Sequence, residues 1–201
     1  MAEKDAEIII PAIDLRSMIV CIRGETPLLS NRFSERSKEL IEDKQQKKAR
    51  AAKPPRDPKQ EFQESCHRLP NGDYAFPAGS IKKALVGAGG RFADEKMTHL
   101  RGAINVMGDL LPILSDHRPE MRSDPVRLAT GVFSIAYRAS FFPWEMHVPV
   151  RFNASILTEE KILYLFQVAG FSVGIGAWRP ETGGTFGQFS LSGDSAAIAA
   201  E

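Results

Sequence analysis

The chain has 201 residues, 43% hydrophobic and 25% charged, with a formal net charge of +1. That is enough chain for one well-buried core with insertions, and too little for two full domains. A net charge near zero says little about partners, and its distribution says more; two cysteines, Cys21 and Cys66, exclude a disulfide framework and cannot make a zinc site alone.

In chain order, the start MAEKDAEIII is acidic and has neither the basic head nor the long apolar stretch of a signal peptide. No run approaches the roughly 18 apolar residues of a membrane span, so the expected compartment is the cytoplasm. Ile13 to Arg23 is β-branched and reads as a strand, with Cys21 expected as a small buried hydrophobe. GETPLLSNRFS follows as a loop broken by Pro27. Glu35 to Ala52 has helix-forming composition without a clear apolar stripe. The prolines of KPPRDP, 53–58, argue against any helix there. Residues 31–66 therefore read as an insertion, a charged helix followed by an extended, mobile piece. From Lys44 to Lys59 this stretch carries Lys44, Lys47, Lys48, Arg50, Lys53, Arg56 and Lys59 against the single acid Asp57. A basic block in a near-neutral chain fits an arm reaching for a polyanion; a solvated helix face fits it as well.

PNGD at 70–73 is a turn, and Tyr74 to Phe76 a short strand. FPAGSIKKAL then opens a helix from Ser80 to Val86, which GAGG at 87–90 is expected to end or kink. Short strands are expected near Ala103 to Met107 and Leu110 to Leu114, then a polar loop, so that 93–127 reads as a second insertion. Val132 to Phe142 and Trp144 to Phe152 alternate and read as an antiparallel hairpin. Thr158 caps a helix with Glu159 and Glu160 in its first turn. A glycine-rich loop, 174–187, leads into a last strand, Gln188 to Ser192. Without the insertions the order is βαββαβ, an α+β, ferredoxin-like (RRM-type) single domain.

Two segments carry candidate chemistry. GIGAWRPETGGTFGQF, 174–189, is neither a dinucleotide fingerprint, which opens a helix after the first strand, nor a Walker loop, which needs Gly-Lys-Ser/Thr. Its glycines, with Arg179 among them, suit close approach to a phosphate; a turn packed on its own fold is the alternative. At FPAGSIKKAL a helix start with Ser80, Lys82 and Lys83 offers free N–H groups and positive charge to an anion; the alternative is an ordinary capped helix with surface lysines. The four histidines, His67, His99, His117 and His147, show no metal-pair or acid–base spacing. Asp43 and Asp57 have no catalytic surroundings, and no nucleophile motif is present. No cofactor and no catalysis are expected.

GETPLLSNRF at 24–33, FPAGSIKKAL at 76–85 and GIGAWRPETGGTFGQF at 174–189, in that order, resemble the RAMP superfamily, most closely the crRNA-binding backbone subunits of CRISPR effector complexes. The resemblance implies a non-catalytic protein that binds single-stranded RNA or DNA, oligomerises along the strand and contacts other effector subunits. It carries over to Ser80 and Lys82 as phosphate contacts and to Gly174, Gly176, Gly183 and Gly184 as the close-approach loop. Lys83 stands where the family often has glycine, and the loop ends Gly187-Gln188 rather than Gly-Arg. The other candidate contacts are Arg32, Lys47, Lys48, Arg50 and Arg179, together with Arg122 and Arg127 in a possible thumb, 93–127, that also holds Arg118. A RAMP-type endoribonuclease and a phage-encoded subunit mimic that interferes with a host complex are the competing readings.

Overall fold

The computed structural model describes residues 12–46, 55–127 and 130–193. In β1 (Leu15–Gly24), Met18, Val20 and Ile22 point into the core, which leaves Cys21 half-buried on the opposite face. The buried cysteine is Cys66 instead. The expected loop after β1 contains a short strand, β2 (Leu28–Ser30), buried throughout.

α1 (Glu35–Gln45) is capped by Ser34, whose Oγ accepts from the Ser37 N–H. α2 (Pro58–Ser65) was not legible as a helix. Proline lacks only a donor that the first turn does not use, so Pro58 starts the helix while the Asp57 carboxylate caps it through Lys59 and Gln60 N–H. Its end is hydrogen-bonded to the rest of the fold. The Ser65 carbonyl accepts from Ser30 Oγ (2.6 Å) and the Arg32 N–H (3.0 Å), and Ser65 Oγ accepts from the Ala139 N–H.

β3 (His67–Arg68) and β4 (Tyr74–Pro77) lead into α3 (Ala78–Phe92), which runs straight through Gly87–Gly90. The glycines serve packing. A Cβ on Gly89 would overlap Leu100 Cδ1 and lie 3.1 Å from Leu165 Cδ2, so its absence lets α4 (Met97–Ala103) and a later helix close on α3. Next come β5 (Ile104–Val106), β6 (Leu110–Pro112) and β7 (Glu120–Arg127). β7 occupies the stretch expected to be a polar loop. Its side chains are polar because it is a mostly exposed edge strand, which also accommodates Pro125. β8 (Phe133–Phe141), β9 (Glu145–Asn153), α5 (Glu159–Val168), a π-helical turn (Ala169–Val173), a 3-10 turn (Pro180–Thr182) and β10 (Phe189–Leu191) complete the described chain. Thr158 caps α5 by accepting from the Lys161 N–H.

The molecule is α+β with antiparallel sheets. A four-stranded sheet has the order β10-β1-β9-β5, its centre the long β1–β9 pair running from Leu15↔Asn153 to Arg23↔Glu145. α3 and α5 supply Ile81, Leu85, Ile162, Leu165 and Phe166 to one core with the inward residues of this sheet. Smaller sheets, β2-β8-β7 and β3-β4-β6, flank it.

The hairpin expected from Val132 to Phe152 does not form. β8 pairs with β2 and β7, and β9 pairs with β1 and β5. Trp144, fully buried, sits at the corner. Its Nε1 donates to the Thr26 carbonyl at 2.9 Å, and its own carbonyl accepts from the Gly24 N–H. Burying and satisfying that indole turns the chain from one sheet into the other. The second excursion is correspondingly displaced from 93–127. Leu100, Ala103, Ile104 and Val106 are core, so the chain leaves the central sheet after Val106 and returns at Glu145.

The glycine packing gives a paired test. Gly79→Ala, where an added Cβ meets nothing within 4 Å, is expected to stabilise by about 0.5–1 kcal/mol through helix propensity. Gly89→Ala is expected to destabilise by about 1–3 kcal/mol through overpacking. Urea unfolding of both variants measures the difference.

Candidate functional site

The glycine-rich segment is held against the 25–29 stretch by backbone hydrogen bonds. Ala177 N–H donates to Leu29 O (2.9 Å) and Gly187 N–H to Pro27 O (2.9 Å), while Ile175 N–H donates to Gly187 O (2.9 Å) across the loop itself. At Gly176 φ is +83°, and a Cβ would lie 2.6 Å from Leu29 O, so glycine is required on both counts. Gly184 lies against the Trp178 carbonyl, while Gly183 is exposed at the end of the 3-10 turn. The loop thus brings its backbone close to its own fold, and several of its N–H groups are spent there rather than held open for a ligand.

Arg179 is similarly engaged. Its Nε and Nη2 donate to Glu181 Oε2 (2.8 and 2.5 Å) and its Nη1 to Gly176 O (3.2 Å). Glu181 Oε1 accepts from Arg91 Nη2 on α3. Burial pushes the Glu181 carboxyl up, but the hydrogen bonds from Arg91 and Arg179 outweigh it and hold the group below its ordinary range. This triad ties the loop to α3 and makes Arg179 a positioning group.

Between α3 and the loop lies a cleft of about 300 Å³. Asn31 comes from the first motif, Ser80 and Lys83 from the second, and Gly174, Gly176 and Arg179 from the third, with His67 and Glu181 completing the wall. Ser80 is the third residue of α3, and Lys83 lies one turn on, so both face the cleft. Lys82 is rotated away, is half-buried and does not line it. Lys83 is exposed and makes no ion pair among the described residues. Burial and the neighbouring Arg32 charge hold the His67 imidazole below its usual range, so it is neutral at pH 7 and adds no positive charge.

The remaining sequence candidates lie elsewhere. Arg32 adjoins a second cleft and donates to Glu35 (2.6 Å). Arg122 pairs with the buried Asp124 (2.8 Å) and stacks on Phe186 at 4.8 Å. Its cross-strand neighbour Arg138 stacks on Trp178 at 5.7 Å, so the two cations dock the β7–β8 ribbon onto the glycine-rich loop. Arg118 and Arg127 are exposed. Lys47, Lys48 and Arg50 lie outside the described residues. Asn31, His67 and Glu181 were not singled out from the sequence as contacts. Only Asn31 and Glu181 carried a local signal, by falling inside the first and third motifs.

Among the described residues no three His, Cys, Asp or Glu side chains are grouped to hold a metal ion, and no helix is long and apolar enough to cross a membrane. Compared with known proteins, the chain matches no protein-family model and no curated sequence.

Removing the central carboxylate tests the triad. Glu181→Gln is expected to lose about 1–3 kcal/mol at neutral pH. Because the folded-state pKa of Glu181 is lowered, its contribution is fully present above the ordinary value of 4.5 and is lost as the pH falls through the lowered pKa. The stability gap between variant and wild type, followed by urea unfolding across acidic pH, is expected to close in that window.

Proposed function

We propose that this chain is a non-catalytic protein that binds single-stranded nucleic acid, most simply RNA, through its sugar–phosphate backbone, and that it repeats along the strand as a RAMP-type backbone subunit does. The observation that carries the proposal is the meeting of three segments, 24–33, 76–85 and 174–189, at one cleft. That cleft brings Ser80, in the N-terminal turn of a 15-residue helix, together with a lysine that makes no ion pair among the described residues. Helix N–H groups, a hydroxyl and an ammonium are the donors a phosphodiester accepts from. A ferredoxin-like reading of the core is supported by the strand order β10-β1-β9-β5, with α3 between β1 and β5 in the chain and α5 between β9 and β10.

The phosphate-binding roles are redistributed relative to the family pattern. Lys83, at the position where the family often has glycine, is the cation that faces the cleft, and Lys82 is not. Arg179 and the glycines shape the wall.

Phosphate contact predicts strong dependence on salt. In fluorescence-anisotropy titrations against single-stranded RNA, Lys83→Ala is expected to weaken binding equally for all sequences. It is also expected to reduce the slope of log affinity against log salt by about 1. Lys82→Ala is expected to change both less. Wild-type binding that ignores salt would count against the proposal.

One observation favours a second reading, metal-independent RNA cleavage: neutral His67 shares the cleft wall with Lys83. Incubating labelled RNA in a chelator with wild type and with His67→Ala separates the two. Intact RNA in both supports binding alone, and cleavage lost in the variant supports the endoribonuclease.

A further inference from the structure

A second cleft, of about 560 Å³, adjoins the first, and Asn31 lines both. Its volume lies within the range of about 300–1,000 Å³ common for small-molecule sites. The floor is β8, from Ser134 to Tyr137, and the walls are the residues leading into α1 and one side of α2 along its length.

Both arginines here are engaged by carboxylates. Arg56 pairs with Glu61 (2.5 Å) and also donates to Ser134 Oγ and Ile135 O, Arg32 pairs with Glu35, and Asp57 caps α2. Gln60 donates to Glu64. With its cations engaged, this cleft does not compete for phosphate as Lys83 does. It does present aromatic surface. Phe33 is 54% exposed on the rim and has no ring partner among the described residues, and Tyr137, beneath Arg56, lies on the floor. An exposed phenylalanine at the rim of a cleft with much apolar surface suits the face of a flat heterocycle; the Gln60 amide already donates to Glu64 and the Ser134 hydroxyl accepts from Arg56, which leaves Gln60 Oε1 and the Ser134 O–H for its hydrogen-bonding edge.

We infer that the second cleft takes a nucleobase of the strand whose phosphate sits in the first, stacked on Phe33, with Asn31 at the junction between base and backbone. This rests on the nucleic-acid reading of the first cleft. It adds a base-contact site to what would otherwise be pure backbone binding, and it does so with residues from segments 31–37, 56–65 and 134–137 that no motif links.

The test uses fluorescence anisotropy with the full chain and two labelled probes, an oligoadenylate and the same strand built from abasic sugars. Phe33 is exposed, so Phe33→Ala leaves the core unchanged. The variant is expected to bind the oligoadenylate about 5- to 150-fold more weakly, equivalent to about 1–3 kcal/mol per stacked base. It is expected to bind the abasic strand as wild type does, and Phe33→Trp is expected to restore oligoadenylate binding. If Phe33→Ala leaves both probes unchanged, or weakens both equally, the base site is overturned. Lys83→Ala run in parallel then shows whether phosphate binding still stands. Wild type that binds neither probe overturns the nucleic-acid reading and the base site with it.

Discussion

The arrangement depends on one piece of backbone pairing, the docking of the glycine-rich loop against the chain that leaves β1. Leu29 O and Pro27 O each accept an N–H from the loop, and Thr26 Oγ1 accepts the Gln188 N–H. Two segments about 150 residues apart in the chain are thereby held at van der Waals distance. Main-chain pairing that close leaves no room for a side chain at Gly176. Everything that faces the first cleft from the loop side is placed by this contact. The Arg179–Glu181–Arg91 triad then fixes the loop against α3 from the other side.

Which charges are free decides what each surface can bind. Arg122 and Arg179 would each serve as a phosphate ligand on residue type alone. In the fold, Arg122 and Arg179 are paired with carboxylates and Arg122 and Arg138 lie on aromatic rings, so they hold elements together. A paired guanidinium must give up its partner before it can take a ligand, and that exchange recovers little free energy. Lys83, which makes no ion pair among the described residues, has no such cost, and so it outweighs Arg122 and Arg179 as a phosphate ligand.

The alternation along β9 and the apolar face of α5 were legible, because burial of one face imposes a period that sequence displays directly. Residues Met146, Val148, Val150 and Phe152 are all buried as their spacing requires. What alternation does not encode is the neighbour. Val132–Phe142 and Trp144–Phe152 have the pattern of a hairpin and lie in different sheets. α2 is hidden because Pro58 looks like a break but stands at the first helical position, and GAGG at 87–90 looks like a stop although Gly89 and Gly90 make room for Leu100 and Met97.

By itself, the sequence determined the α+β class, the strands and helices whose faces are buried, and the three segments that carry polar and glycine-rich character. These follow from local propensity and from the periodicity that a buried face demands. Only the tertiary structure decided that the three segments meet, that Lys83 rather than Lys82 enters the cleft, that Arg179 is held by Glu181, and that a second cleft opens beside the first. Those outcomes depend on helix phase, on strand partnership and on ion pairs between residues far apart in the chain. All are properties of the packed molecule that no local pattern carries.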